Sequence, residues 1–434
     1  MSDTGASQGL AGASQGLAAG LCGLSAAGLP GFAWLDGGDA HDGGGMVAAW
    51  PDLEIVGEDL AVLDEVQRAW RARPDAVWIG WLSYELGAAD TLGRAVTRSA
   101  LPGLCMRRYP AALRLGAGAV QGQHGDASRL RAALAAVTPI GAQWPWPLQS
   151  LSVRIEPEEH RRRVRAAQTR IVAGDTYQVN LSQPMRAAWT GQAEAMTLGL
   201  RTATLYAGLR HRFPASMGGL VSTPVGTIVS NSPETLLTTT VGAGEDGGVL
   251  AQSWPIKGTR PRGASPEADA ALVDALRRSE KDGAEHVMIV DLVRNDLGRL
   301  AVPGSVAAPS VAQLLTLPTV HHLITEVSAT LRTDVELTEL VRAMFPGGSI
   351  TGAPKRSTVG IIDGLEQHRR GIYCGALVLL QPSGVTLSIA IRTGLADAHG
   401  LSLCSGGGIV VDSDPEAERL ETLDKAAAFA GPGV

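Results

Sequence analysis

Apolar and polar positions along this chain switch between two periods, and the switches mark its elements. The run Val77-Trp-Ile-Gly-Trp-Leu82 is short and continuously apolar, which suits a strand covered on both faces. Gly80-Trp-Leu-Ser-Tyr-Glu-Leu-Gly87 carries that strand into a turn. From Glu158 to Gly174, the residues Val164, Ala167, Gln168 and Ile171 share one face, predicting a helix that Gly174 ends. Strands are expected over residues 177–181, 219–222 and 227–230, the last just before Ser232-Pro-Glu234. Helix dominates from Pro266 to Asp296, and its apolar stretch Val287-Met-Ile-Val290 predicts burial. Strands return over 387–393 and 401–404. A last helix starts at Pro415, signposted by Ser413-Asp-Pro-Glu416, which supplies a capping residue, Pro in the first turn and early acids. This alternation predicts a mixed α/β (α+β) chain without saying which strands pair.

Three stretches follow from the same pattern. Residues 1–30 are rich in Gly, Ala and Ser, and the heptad starting at Gly5 repeats at Gly12, so a disordered extension is expected. Residues 115–150 have little pattern and contain Pro145, Pro147 and two Trp, which reads as a linking region. An N-terminal part over 31–145 is thereby separated from a larger part over 146–434.

The chain has 434 residues, 45% of them hydrophobic, enough for a large core. With 37 basic against 43 acidic side chains the net charge is −6, which argues against a nucleic-acid binder. The positive partners of any anionic substrate must then be few and local. No apolar run reaches the roughly 20 residues of a membrane span. The N-terminus lacks the basic start and apolar stretch of a signal peptide, so a cytoplasmic location is expected. Cys22, Cys105, Cys374 and Cys404 are scattered and form no CxxC, which speaks against a zinc site or a disulfide framework.

Two acidic helices and two loops hold the candidate chemistry. Glu418 and Glu421 share a face with Lys425 one turn on, and Asp282 and Glu285 repeat the spacing. Solvated ion pairs, Lys281–Glu285 and Glu421–Lys425, explain that spacing. So does an oxygen-ligand Mg²⁺ site, which needs one or two carboxylates with waters and substrate oxygens. In Pro255-Ile-Lys-Gly-Thr-Arg-Pro-Arg-Gly263, Lys257 is an exposed cation or an amine made nucleophilic by burial and nearby charge. The loop Phe345-Pro-Gly-Gly-Ser-Ile-Thr-Gly-Ala-Pro-Lys355 fails the phosphate-loop spacing, and Ser405-Gly-Gly-Gly408 fails GxGxxG.

Taken together, a series of segments resembles the chorismate-utilising enzymes, which include anthranilate, aminodeoxychorismate, isochorismate and salicylate synthases. The segments are Gly174-Asp-Thr-Tyr-Gln-Val-Asn-Leu-Ser182, Ser232-Pro-Glu234, Pro255-Ile-Lys-Gly-Thr259, Ala284 to Asp296, His322-Leu323, Phe345 to Lys355, Arg370-Gly-Ile-Tyr-Cys-Gly375, Ile391-Arg-Thr393 and Gly406 to Lys425. They run in the family's order across residues 160–430, and residues 31–115 match more loosely. The resemblance implies an anthranilate synthase component I-like fold: two intertwined α/β parts, stacked antiparallel sheets and outer helices. Residues 146–434 would then be the chorismate-binding catalytic domain. It also implies Mg²⁺, with Glu285 and Glu421 at the ligand positions and Asp282 and Glu418 supporting. Arg392 and Tyr373 match groups that bind the pyruvyl carboxylate, with Gly407 and Gly408 alongside. Thr259 and Lys425 match contacts to the ring carboxylate, His322 a residue near the C4 oxygen, and Glu234 the general acid for the C4 hydroxyl.

Two positions separate the branches of the family. Hydroxylating members place a lysine where this chain has Gln178, and an amide cannot serve as that base. Anthranilate and isochorismate synthases usually have alanine where this chain has Lys257. The Pro-Ile-Lys-Gly-Thr form resembles the aminodeoxychorismate synthases, in which this lysine attacks the ring covalently, on the way to p-aminobenzoate and folate. Anthranilate formation is the alternative. No cysteine lies in a Gly-x-Cys-x-Gly elbow, so ammonia is expected from a separate glutamine amidotransferase subunit. Leu35-Asp-Gly37 stands where relatives carry Leu-Asp-Ser in a tryptophan pocket.

Overall fold

A computed structural model describes residues 16–37, 45–116, 119–141, 145–309, 312–317 and 320–431. Two large sheets dominate it, and every pairing among the described strands is antiparallel. In the larger sheet the longest pairing is Gln178–Ala188 with Gly400–Ile409, joined over ten residues near one edge. The second sheet has eight strands, with Val77–Leu82 between Leu104–Tyr109 and Ala376–Gln381. A third, three-stranded sheet orders Ile256–Pro261, Val320–Ile324 and Gln313–Thr316.

The sheets stack through an apolar layer. Val77, Ile79 and Trp81 of the second sheet meet Ala33, Met46, Val221 and Ile228 of the first. Trp78 and Leu82 point the other way, into the core under the helices. All six residues of that strand are buried, which is why its sequence is continuously apolar rather than alternating. The predicted turn after it is a helix, Tyr84–Leu92, ended by Gly93 in the left-handed region.

Both sheets draw strands from either side of residue 145. Ala33–Gly37 pairs with Met217–Thr223, and Val77–Leu82 pairs with Ala376–Gln381. The expected linking region over 115–150 is structured in part: it contains the strand Ala119–His124 and the helix Ser128–Ala136. Its weak pattern reflects an edge strand of alternating exposure and a helix burying chiefly Leu130.

The disorder expected for residues 1–30 is overturned where the structure describes them, and residues 1–15 lie outside the described set. Residues 16–26 are helical, with Leu21, Cys22 and Leu24 buried in the second core cluster. Leu17, Leu21 and Leu24 form a stripe that composition concealed. Gly23 lets the helix approach its neighbour, since a Cβ there would meet the Thr138 carbonyl oxygen at 2.4 Å. Packing outweighs the poor helix propensity of such glycines.

The other elements stand near their expected places: Pro157–Val172, Gln178–Ala188, Met217–Thr223, Gly226–Ser232 and Pro415–Ala426. The long helical region divides into Pro266–Arg277 and Glu280–Gly298, each capped by a serine hydroxyl. Burial of the whole Val287–Val290 stretch is also corrected: Ile289 is buried, whereas Val287 is 59% exposed. The helix packs one side on the protein, so a four-residue run cannot all face inward.

Candidate active site

Two crossings between the large sheets carry key side chains. The chain leaves the first sheet at Ser232 and enters the second at Thr235, with Glu234 between. It returns between Ser388 and Thr393, carrying Arg392. The strand expected over 387–393 is therefore interrupted, and Arg392 sits at φ +47. Strain of this kind in a non-glycine residue gathers at functional sites. The crossings hold each other: Ser232 donates its hydroxyl to the Ile389 carbonyl, and Ile389 N–H donates to the Glu234 carbonyl at 2.9 Å.

These crossings open on a cavity of about 860 Å³. Glu234, Lys257, Thr259, Asp282, Glu285, His322, Tyr373, Arg392, Gly408, Glu418, Glu421 and Lys425 all line it. Gly407 lies alongside, facing the last helix: a Cβ there would stand 3.1 Å from Glu418 Oε2. Residues more than 180 positions apart thus meet in one volume.

The small sheet delivers the lysine. Lys257 pairs with Leu323 and Thr259 with His322, leaving Gly258 as a bulge at φ +74. A Cβ on Gly258 would press on Leu276 Cδ1 at 2.9 Å. Thr259 Oγ1 and His322 Nδ1 are hydrogen-bonded at 2.9 Å across the strands. Burial keeps His322 below the ordinary imidazole range, hence neutral.

Charges in the cavity push one another. Burial raises Glu234 to about 7, against the lowering pull of the Ser349 hydroxyl, which donates to Oε1 at 2.9 Å, and of Lys257 and Lys425. Burial lowers Lys257, and the Lys425 charge lowers it further, against Glu285, Glu234 and Glu421. Lys257 makes no ion pair among the described residues. A proton-bearing acid and an amine drawn toward its neutral form thus face the same space, the pairing that acid-assisted nucleophilic chemistry needs. Arg392 also has no ion-pair partner among the described residues, and burial lowers it. Its guanidinium stays charged and is suited to a substrate carboxylate.

The acidic helices meet across the cavity. Lys425 Nζ lies 2.6 Å from Glu421 and 3.2 Å from the Gly406 carbonyl. Lys281 stands 4.0 Å from Glu285, and Arg260 donates to Asp282 at 2.8 Å. The ion pairs expected from helical spacing exist, and the same carboxylates line the cavity. Burial raises Glu418; the Ser413 hydroxyl bonded to it at 2.6 Å opposes this, and the Glu421 charge adds to it. No group of three or more His, Cys, Asp and Glu in metal-binding reach occurs among the described residues. A Mg²⁺ site of two carboxylates, waters and substrate oxygens does not require one, and the donor set here, all oxygen, is of the right chemistry.

Several lining groups carry no sequence signal of their own. Ser349 is identified only by its bond to Glu234. Asn180, Arg260 and Cys404 also face the cavity.

The profile of the family described as chorismate binding enzyme matches residues 47–431. An aminodeoxychorismate synthase of Streptomyces griseus is 40% identical over 369 residues, 81% of this chain and 49% of that protein. Anthranilate synthase component 1 1 of Haloarcula marismortui is also 40% identical, over 62% of this chain and 52% of its own length. The chain therefore spans about half the length of these curated relatives. Among solved structures, anthranilate synthase component I from Streptococcus pneumoniae superposes with a TM-score of 0.73 at 25% identity, covering 89% of this chain and 92% of that one.

Proposed function

The chain belongs to the chorismate-binding enzyme family, and we propose that within it the protein converts chorismate and ammonia to 4-amino-4-deoxychorismate through a covalent bond to Lys257. The observation that carries this reading is Lys257 itself, free of ion pairs among the described residues, lowered by burial, and lining the cavity with Glu234.

The chemistry proceeds from these two groups. Neutral Lys257 attacks C2 of the ring, the two double bonds shift, and the C4 hydroxyl leaves as water with the proton of Glu234. Ammonia then adds at C4, the double bonds shift back, and the lysine leaves C2. The enolpyruvyl group is retained. Arg392 and Tyr373, beside Gly407 and Gly408, hold the pyruvyl carboxylate; Thr259 and Lys425 meet the ring carboxylate; and His322, neutral, lies near the C4 oxygen. Mg²⁺, held by Glu285 and Glu421 and supported by Asp282 and Glu418, would neutralise and orient the ring carboxylate.

Identity alone does not choose between products, because the aminodeoxychorismate and anthranilate synthase relatives are both 40% identical, over 81% and 62% of this chain. Lys257 favours the first, since an attacking amine at this place has no role in forming anthranilate. Component numbering in the Haloarcula marismortui and Streptococcus pneumoniae relatives names each as one part of an assembly. A partner glutamine amidotransferase supplying ammonia is the corresponding proposal here.

Lys257→Ala provides the test. Incubated with chorismate and Mg²⁺, the intact chain should gain the mass of a dehydrated chorismate, and the variant should not. Ammonium-dependent turnover of the variant should fall by at least a hundredfold. Undiminished turnover would sink the covalent role.

A further inference from the structure

We propose that Arg370 is a positioning residue for the reaction: from behind the cavity wall, its guanidinium fixes the turn that carries Ser349 and the ring of Tyr373. The proposal rests on the acid role of Glu234 given above. Arg370 does not line the cavity, and only 4% of it is exposed. Its guanidinium is aimed by Glu366, whose two oxygens accept from Nε and Nη2 at 2.8 Å each. Glu366 is anchored in turn, since its Oε1 also accepts the Ser182 N–H at 2.7 Å. Glu85 takes the backbone N–H of Arg370 at 2.8 Å. The arginine is therefore held at its backbone and at its tip.

The rest of the guanidinium is spent on the cavity wall. Nη2 donates to the Asn180 carbonyl at 2.7 Å and Nη1 to the Ile350 carbonyl at 3.3 Å. Its central carbon lies 5.8 Å from the ring centroid of Tyr373. Asn180, Ile350 and Tyr373 all line the cavity. Ile350 closes the single turn Gly348–Ile350, whose middle residue is Ser349. The next carbonyl, that of Thr351, accepts the Asn180 N–H at 2.8 Å. Arg370 thus clamps this turn to the strand Gln178–Ala188 from both sides of the junction. The clamped turn presents the Ser349 hydroxyl to Glu234 Oε1 at 2.9 Å.

Stability alone does not call for such an arrangement, because a buried ion pair is often matched by apolar side chains of similar volume. The fork of an arginine has a use that a bare charge lacks. A lysine ammonium at this place can answer Glu366, but a point charge on a flexible stem cannot serve the carboxylate and both carbonyls together.

The pH–rate profile of chorismate consumption by the full chain, with Mg²⁺ and ammonium, decides the matter. Ser349, Lys257 and Lys425 act on Glu234, and His322, Tyr373, Arg392, Glu285 and Glu421 line the same cavity. Arg370→Lys keeps all of these groups and the charge at position 370. It should nevertheless move the alkaline limb of kcat/KM up by about half to one pH unit, as Ser349→Ala does. The double variant should move it no further than either single one. KM for chorismate should rise about fivefold in Arg370→Lys as Tyr373 shifts. A residue that only stabilises the fold would scale the rate alike at every pH. An unmoved limb in Arg370→Lys, shifts that add in the double variant, or an unchanged chorismate KM overturns the proposal. Where Arg370→Lys does not fold, Glu366→Gln carries the same prediction and the same refutation. It replaces one accepting oxygen by a donor, and its lost negative charge alone would move the limb down. A Ser349→Ala limb identical to the parent's would instead overturn the acid role of Glu234, and the Ser349 part of the proposal with it, so the two failures are distinct.

Discussion

At the residue scale, the account depends on two protons. In the proposed reaction Glu234 must carry its proton to release the C4 hydroxyl, and burial places that proton's loss near pH 7. Lys257 must be neutral to attack, and burial with Lys425 draws its deprotonation down. Activity should therefore fall on the acid side as Lys257 gains a proton and on the alkaline side as Glu234 loses one. Ser349 stabilises the carboxylate form of Glu234. In Ser349→Ala that stabilisation is gone, so the Glu234 proton is held more tightly and the alkaline limb should move up by about half to one pH unit, equivalent to a hydrogen bond worth about 1 kcal/mol. A pH–rate profile of kcat/KM checks it, and a limb moving down would contradict the assignment. Every site residue expected from the sequence except Gly407 lines the cavity, and Gly407 lies beside it. Ser349, Arg260 and Asn180 were not legible as site groups, because a serine in a glycine loop, an arginine in a basic loop and an asparagine in a strand are all commonplace. Only their neighbours in space give them a role.

At the element scale, the periodic helices and strands were legible and the breaks in them were not. Apolar spacing marked Pro157–Val172, and capping chemistry marked the start of Pro415–Ala426. It could not show that 387–393 breaks, since positive φ at an arginine leaves no trace in composition. Nor did Gly- and Ala-rich composition reveal the buried leucine stripe of residues 16–26. The Gly258 bulge makes a direct prediction. Gly258→Ala requires a left-handed alanine pressed on Leu276, at a cost of about 1–3 kcal/mol. It should displace Lys257 and reduce turnover far more than it lowers the unfolding midpoint. A second element, the C-terminal end of the helix Lys355–Leu365, is tied down by Glu366 and Arg370, joined in two parallel bonds of 2.8 Å and both buried. Burial raises Glu366, but the Arg370 charge and hydrogen bonds outweigh it and leave the carboxyl below its ordinary value. The pair's contribution is thus present above the unfolded carboxyl value and lost as pH falls through the folded one. Arg370→Ala strands the carboxylate and should lose about 3–5 kcal/mol in denaturant titration at neutral pH. A loss below 1 kcal/mol would show that the site relaxes or hydrates.

At the scale of the whole molecule, two antiparallel sheets share strands from both ends of the sequence and hold the cavity where the chain crosses between them. Long-range pairing of this kind was legible only through family resemblance, because strand order is absent from local pattern. The arrangement explains how residues from Asn180 to Lys425 act together. No helix among the described residues is long and apolar enough to cross a membrane. The purified chain should aminate chorismate with ammonium and show no turnover of glutamine until a glutamine amidotransferase is added. Glutamine-dependent turnover by the chain alone would contradict the partner proposal. Removing Mg²⁺ with a chelator should abolish activity and readdition restore it. The most direct test of the central claim is the identity of the product formed from chorismate, Mg²⁺ and ammonium by the pure chain. The account predicts an aminated ring that retains its enolpyruvyl group and yields p-aminobenzoate when a lyase is added. Accumulation of fluorescent anthranilate with release of pyruvate would contradict it.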